Sequence, residues 1–270
     1  MSENYFNNVK EAFSLQSLGY DDYEFMHSTL KFMRGEVRNH VMSFLRKSDK
    51  ILEINAGTGT DAVFFAKKGF NVHATDISGG MIYQLKNKVI KYSLKDQISV
   101  QQCSFTELNK ITCGPFNYIF SNFGGLNCTP DLLEVTKFFP DLLNRNGRIT
   151  LVLMPPLCPW EIALIFRGQF KTAFRRLKKY GTRSHLEGKY FNTFYYSPQK
   201  TIEALGKKFR ILKLQGLASF TPPPYMENFP GRFPTIYKNL NKFDKYFSSH
   251  FPFNHFADHF ILTAEYLPKL

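Results

Sequence analysis

One stretch, LEINAGTGTDAVFFAKKGFNVHATDIS from Leu52 to Ser78, constrains the fold more than any other. ILEIN (51–55) is an apolar run of strand length, and Gly57 and Gly59 follow it at once. DAVFFAKKG then has helical texture and closes on Gly69, a residue suited to the left-handed position past a helix end. NVHATDI (71–77) is a second strand, with Asp76 near its end. Strand, glycine turn, helix and strand in this order predict a βαβ unit with its turn at the carboxyl edge of a parallel sheet.

The pattern repeats along the chain. Gly80 to Leu94 reads as a helix, ISVQQC (98–103) as a third strand, FNYIFSN (116–122) as a fourth, Asp131 to Leu143 as a helix, and GRITLVLM (147–154) as a fifth strand. Upstream, Phe25, Met26, Leu30, Met33, Val37, Val41, Phe44 and Leu45 recur at helical spacing, so 22–46 is one or two helices. After Met154 the texture turns aromatic and basic, with helices expected near Pro159 to Tyr180 and an extended segment at 186–196. Alternation resumes with a helix at Ser197–Gly206 and strands at Phe209–Gly216 and 259–267. The fold class is therefore α/β: a Rossmann-like, doubly wound, seven-stranded, mostly parallel sheet with N-terminal helices. The 270 residues read as one domain, with a helical cap (1–48), a core (49–154), a lid insertion between the fifth and sixth strands (155–196) and a completion of the sheet (197–270).

Glycines at 57 and 59 allow close backbone approach to a ligand at a helix start, and Asp76, about twenty residues on, can accept hydrogen bonds from ribose hydroxyls. Gly57, Gly59 and Ala62 also fit the looser G-x-G-x-x-A dinucleotide form, so the glycines alone leave hydride transfer open. The wider segment, LEINAGTG followed by ATDIS and Met81, resembles the class I S-adenosylmethionine-dependent methyltransferases, in particular the group that includes ubiquinone and menaquinone methyltransferases, which reads LEIGCGTG and then ATDIS. The resemblance runs from about Phe13 to Met154 and implies S-adenosylmethionine as cofactor, with S-adenosylhomocysteine as product. It places Glu53, Asn55, Ala56, Gly57, Thr58, Gly59 and Asp61 around the methionine part and Asp76 on the ribose. Ile77, Met81, Ser104 and Phe105 fall to the adenine, and Asn122 and Phe123 to the border between methionine and substrate. Tyr23 and Arg34 match a tyrosine and arginine that close over the cofactor in that family. Asn55 stands where the family has glycine; asparagine tolerates left-handed backbone angles, so the turn is expected to survive.

Methyl transfer needs alignment and exclusion of water, and a base only if the acceptor must lose a proton. The resemblance does not name that base. Glu161, His185 and Tyr195 are the candidate catalytic residues, with Trp160 and Asn122 also on the acceptor side; Tyr195 and Tyr196 alternate, so one of them can face a cavity. A small acceptor that is fairly apolar is expected from the phenylalanine-rich second half, and the net charge of +13, densest from Arg167 to Arg183, suits an anionic one or a peripheral membrane contact. RNA or protein as acceptor, and a non-catalytic S-adenosylmethionine-binding protein, are the alternatives. SNFGGLN lacks the [ND]-PP-[YF] signature of nucleic-acid amino-methylating relatives, which argues against nucleic acid.

Four cysteines without CxxC spacing read as reduced and structural, and His255 and His259 lack a third ligand at suitable spacing, so no metal is expected. The polar N-terminus and the lack of an 18-residue apolar run predict a cytoplasmic chain without a transmembrane span. TPPPYMENFPGRFP (221–234) reads as a rigid connection over the substrate mouth. The oligomeric state is left open by the sequence.

Overall fold

The computed structural model describes residues 3–268. Three helices come first: α1 (Glu3–Gln16), α2 (Tyr20–Met26) and α3 (Ser28–Phe44). The alternating core follows as β1 (Lys50–Glu53), α4 (Thr60–Lys67), β2 (Asn71–Asp76), α5 (Gly79–Lys91), β3 (Ile98–Gln102) and β4 (Phe116–Ser121). Next come α6 (Leu133–Thr136), α7 (Phe139–Leu142) and β5 (Leu143–Leu153). The strands order as β3-β2-β1-β4-β5 and run parallel, so the order reverses between β1 and β4, where an open α/β sheet offers its crevice.

The helix expected over 131–143 is two single turns instead. Pro140 has no N–H and its ring would press on the carbonyl of Thr136, so a continuous helix cannot cross it. β5 accordingly starts at Leu143, earlier than the expected Gly147, and its pairing with β4 shifts register between Phe116 and Tyr118.

Residues 155–196 lie between β5 and the next strand of the main sheet. The expected helices there are short turns, α8 (Pro159–Ile162) and α9 (Phe170–Ala173) joined by 3-10 segments, with a left-handed Gly168 between them. The expected extended run at 186–196 is a separate hairpin, β6 (Thr182–Leu186) and β7 (Lys189–Thr193). Its two-residue loop, Glu187 and Gly188, has φ of 48° and 76°, the left-handed pair that suits the twist of a tight hairpin. The hairpin rests on α1: Tyr5 Oη donates to the Asn192 carbonyl at 2.6 Å, and Lys189 pairs with Glu11.

The sheet is completed by α10 (Pro198–Leu205), β8 (Phe209–Leu217), α11 (Phe229–Arg232), α12 (Pro234–Phe247) and β9 (His259–Tyr266). β9 inserts between β5 and β8, antiparallel to both. Its first residue, His259, therefore stands at the carboxyl edge of β5. The proline-rich connection is pinned from α12, where the buried Asp244 accepts the backbone N–H groups of Ser219, Phe220 and Thr221. Among the described residues no helix is long and apolar enough to cross a membrane.

Each face of the sheet carries its own apolar layer. One joins Met33, Val37 and Val41 of α3 with Phe65 of α4 and Leu85 of α5; the other gathers Phe116, Phe139, Leu205 and Phe209. Phe65 is fully buried, with its ring edge-on to Phe120 at 5.5 Å. Phe65→Ala is expected to cost about 3–5 kcal/mol of unfolding free energy, measured by urea denaturation; a loss under about 1 kcal/mol would show that the layer closes over the gap.

Candidate functional site

The turn after β1 is built from left-handed backbone: φ is 49° at Asn55, 57° at Gly57 and 77° at Gly59. The two glycines act differently. A Cβ on Gly57 would meet only Met81 Sδ at 4.0 Å, and the residue lines an open cavity; a Cβ on Gly59 would sit 1.9 Å from Leu85 Cδ1. Gly59 thus serves the close approach of α4 to α5, and it is not among the residues that line the cavity or its recess. Asn55 does hold the left-handed angle expected of it. Its Oδ1 accepts from Ser121 Oγ at 2.8 Å, and Gly125 makes room for it, since a Cβ there would lie 2.3 Å from Asn55 Nδ2.

Asp76 faces this turn from the end of β2. Its carboxylate accepts the N–H groups of Gly57 (2.9 Å) and Ser78 (2.8 Å). Burial nevertheless pushes its pKa up to about 6, those N–H groups pulling against the rise. From here a cavity of about 300 Å³ opens across the carboxyl edge. Gly57, Asp76, Ile77 and Met81 line one end; Phe105, Cys103, Asn122, Phe123 and Met154 continue it; Val9 and Phe13 of α1 and Ser184, His185, Leu186, Phe191 and Thr193 of the hairpin close it.

A small polar recess adjoins the cavity and shares Tyr20, Asn55, Gly57, Asn122 and Phe123 with it. Ala56, Thr58, Thr60, Glu53, Asp61 and Arg34 complete its wall. Asp61 is fully engaged, accepting from Arg34, from Arg38 Nε at 2.8 Å and from Asn122 Nδ2 at 2.7 Å. Against the pull of burial, the two guanidinium groups hold Asp61 below the usual carboxylate range. Glu53 has no such partner. Its Oε2 is buried without a hydrogen bond, and burial, with Asp61 close by, pushes its pKa well up.

Several expected residues sit elsewhere. Tyr23 is half-exposed and donates to Glu227, whereas Tyr20, one helical step back, faces both cavity and recess. The signal for Tyr20 was its i, i+4 relation to the buried Glu24, which binds Arg34. Arg34 borders the recess only, its guanidinium spent on Glu24 and Asp61 and its face on the Phe123 ring at 4.5 Å. Ser104 turns from the cavity to Thr106 Oγ1, while its neighbour Phe105 lines it.

Of the acceptor-side candidates, His185 lines the cavity. Glu161 does not: it is 1% exposed and bound by both Arg175 and Arg176, so no oxygen is free to take a proton. Tyr195 is turned to the opposite side of its strand exit, with its ring against the Arg176 guanidinium at 5.2 Å; neither it nor Tyr196 lines the cavity. Trp160 packs on Phe229 and donates Nε1–H to the Phe220 carbonyl. The densest part of the basic cluster is thus partly structural, with Arg176 also reaching Asp258 at 2.7 Å. Cys158, Glu161 and Asp258 bring ligating atoms within 4.8 Å of one another, but Arg176 already serves as the cation for both carboxylates.

Residues 51–147 match a family model described as a methyltransferase domain. No curated protein matches the chain. Among solved structures, the geranyl diphosphate C-methyltransferase of Streptomyces coelicolor A3(2), crystallised with Mg2+, geranyl diphosphate and S-adenosyl-L-homocysteine, superposes with a TM-score of 0.57 at 12% identity, over 86% of this chain and 78% of that one. A putative S-adenosylmethionine-dependent methyltransferase of Listeria monocytogenes gives 0.57 at 15%, over 85% and 96%. A putative sarcosine dimethylglycine methyltransferase of Galdieria sulphuraria gives 0.56 at 14%, over 89% and 86%. At such identities the likeness is one of fold, and the chemistry must come from the site.

Two outcomes follow from the buried carboxylates. Because burial raises Asp76 above its unfolded value, its contribution to stability is complete below about pH 4 and is lost as pH rises through about 6. Asp76→Asn, neutral throughout, is expected to be more stable than the wild type at about pH 7.5 by about 2 kcal/mol, the lost bond of one N–H included, with the gap closing near pH 4. Calorimetric melts across pH test this, and equal melting temperatures at the upper pH would contradict it. Glu161→Ala strands two guanidinium groups and is expected to lose about 3–5 kcal/mol, read by chemical denaturation.

Proposed function

The chain carries a methyltransferase domain over residues 51–147 on the class I fold, and from that premise we propose that it moves the methyl group of S-adenosylmethionine to an O, N or C atom of a small, apolar acceptor. The observation that carries this reading is the polarity of the cavity. Asp76, the Gly57 backbone and the unpartnered Glu53 oxygen gather around the turn after β1 and its recess, and Val9, Phe13, Phe105, Leu186 and Phe191 give the cavity the rest of its wall, which is apolar.

The residues fit the cofactor. Asp76 would take the ribose hydroxyls, Ile77, Met81 and Phe105 would flank the adenine, and the recess below Gly57 would take the methionine end. There Glu53, buried and without a hydrogen-bonding partner, offers an acceptor for the amino group. S-adenosylmethionine supplies an electrophilic methyl carbon on a cationic sulfur. The chain's part is to orient the acceptor against it and to keep water out, for which an apolar wall closed by α1 and the β6–β7 hairpin is suited.

In this reading the chain is one domain, residues 155–196 act as a lid over the carboxyl edge, and the protein works in the cytoplasm with its cysteines reduced. The four cysteines are free, three of them buried, in keeping with that. The exposed Lys178 and Lys179 before the hairpin and Arg183 within it favour an acceptor with negative charge.

Titration calorimetry with S-adenosylmethionine tests the premise. Asp76→Ala, which removes two charge-assisted bonds, is expected to weaken binding about 30-fold or more. Wild-type affinity is also expected to fall below about pH 6, as the Asp76 carboxylate takes up its proton and ceases to accept from both hydroxyls. No binding by the wild type, or unchanged binding by Asp76→Ala, would overturn the reading.

A further inference from the structure

On the reading that this cavity performs methyl transfer, we propose that His259, held by Asp258, is the general base that takes the acceptor's proton. His259 opens β9, and because that strand runs antiparallel to β5 its first residue lies at the carboxyl edge beside Met154. Asp258 is buried, and against the pull of that burial His259 and Arg176 hold it well below the ordinary carboxylate range. An ionised carboxylate only accepts, so the 2.9 Å contact between Asp258 Oδ2 and His259 Nδ1 requires Nδ1–H. The lone pair of the neutral ring is then on Nε2, which makes no hydrogen bond among the described residues.

Gly124 directs that nitrogen. It lines the cavity with φ of 65°, and a Cβ on it would stand 3.4 Å from His259 Nε2. Phe123, also on the cavity wall, presents its ring edge-on to the imidazole at 6.1 Å. His259 stands behind this part of the wall, and a side chain at position 124 would lie in van der Waals contact with its Nε2. Arg176 fixes the orientation from behind, donating Nη2–H to Asp258 Oδ1 and Nη1–H to its carbonyl, and Glu161 holds Arg176 in turn. Glu161 and Arg176 are positioning residues, and the buried charge that looked catalytic in the sequence acts through them.

The step balances without a further reactant. The acceptor's X–H proton passes to Nε2, and the freed electron pair forms the bond from X to the methyl carbon. The carbon–sulfur bond breaks with its pair left on sulfur, giving S-adenosylhomocysteine. The cluster of Asp258, Glu161, Arg175 and Arg176 is neutral before transfer, so the new imidazolium faces the Asp258 carboxylate with no uncancelled cation behind it.

Two measurements decide the matter, and the first needs no acceptor. Diethyl pyrocarbonate acylates an imidazole only where an unprotonated nitrogen can be reached, and modified histidines are mapped on the full chain by mass spectrometry. His259, although buried, is expected to react, and Gly124→Ala to slow it; His259 unmodified in the wild type while the exposed His250 reacts would overturn the proposal. The second follows product mass with a panel of alkyl phenols, whose hydroxyl must lose its proton. His259→Gln is expected to lower kcat by about 10²-fold or more with affinity for S-adenosylmethionine unchanged, and His259→Ala to regain turnover with added imidazole. Wild-type kcat in His259→Gln would overturn the proposal. If the wild type methylates none of the panel, the acceptor class falls, and the acylation result still decides where His259 points.

Discussion

The left-handed backbone between β1 and α4 is the constraint on which the rest of the site depends. Three positive φ angles in five residues turn the chain back sharply enough for α4 to start at the carboxyl edge. The Gly57 N–H that this turn exposes is taken by Asp76, so the turn after β1 is tied to the end of β2. The price is a buried carboxylate whose ionisation folding opposes. A side chain that weakens the folded state at neutral pH is what a binding site looks like when function and stability compete.

Burial of charge organises what lies around that turn. Asp61 with Arg34, Arg38 and Glu24 ties α2 and α3 to the first crossover helix, so the N-terminal helices are part of the wall of the cavity and its recess. Glu161 with Arg175, Arg176 and Asp258 ties the segment after β5 to the start of β9. Each network is nearly neutral and almost closed to water, where breaking one partner costs far more than an exposed pair could return. Both stand behind the cavity and not in it, and they hold in place Asn122 and Phe123, which line it, on one side and His259, whose ring packs edge-on against Phe123, on the other.

Much of this was legible along the chain. The strand positions of the core were, because apolar runs bounded by glycine, with an acid at the second strand's end, have few other folded solutions. The break at Pro140 was visible too, but as one residue against a helical texture, and the β6–β7 hairpin hid behind an Glu-Gly loop that reads more weakly than Asn-Gly. Tyr20 and Tyr23 differ by less than one helical turn, and the i, i+4 spacing of Tyr20 to Glu24 tells the sides apart only once Glu24 is seen buried against Arg34. Glu161 looked like a free carboxylate because its guanidinium partners lie fourteen and fifteen residues away, beyond any local pairing rule.

By itself the sequence determined the order of elements, the turn chemistry at Asn55 and Gly57, and Asp76 as the acid of the crevice, since these rest on local backbone sterics and short spacings. Tertiary structure alone decided which polar groups meet. It separated Gly57, on the cavity wall, from Gly59, at Leu85, and it placed His259 beside Gly124, more than a hundred residues away in the chain, by inserting β9 antiparallel against β5. The reason is physical: backbone preferences act over a few residues, whereas the placing of a proton acceptor or an ion pair depends on how distant strands close the sheet.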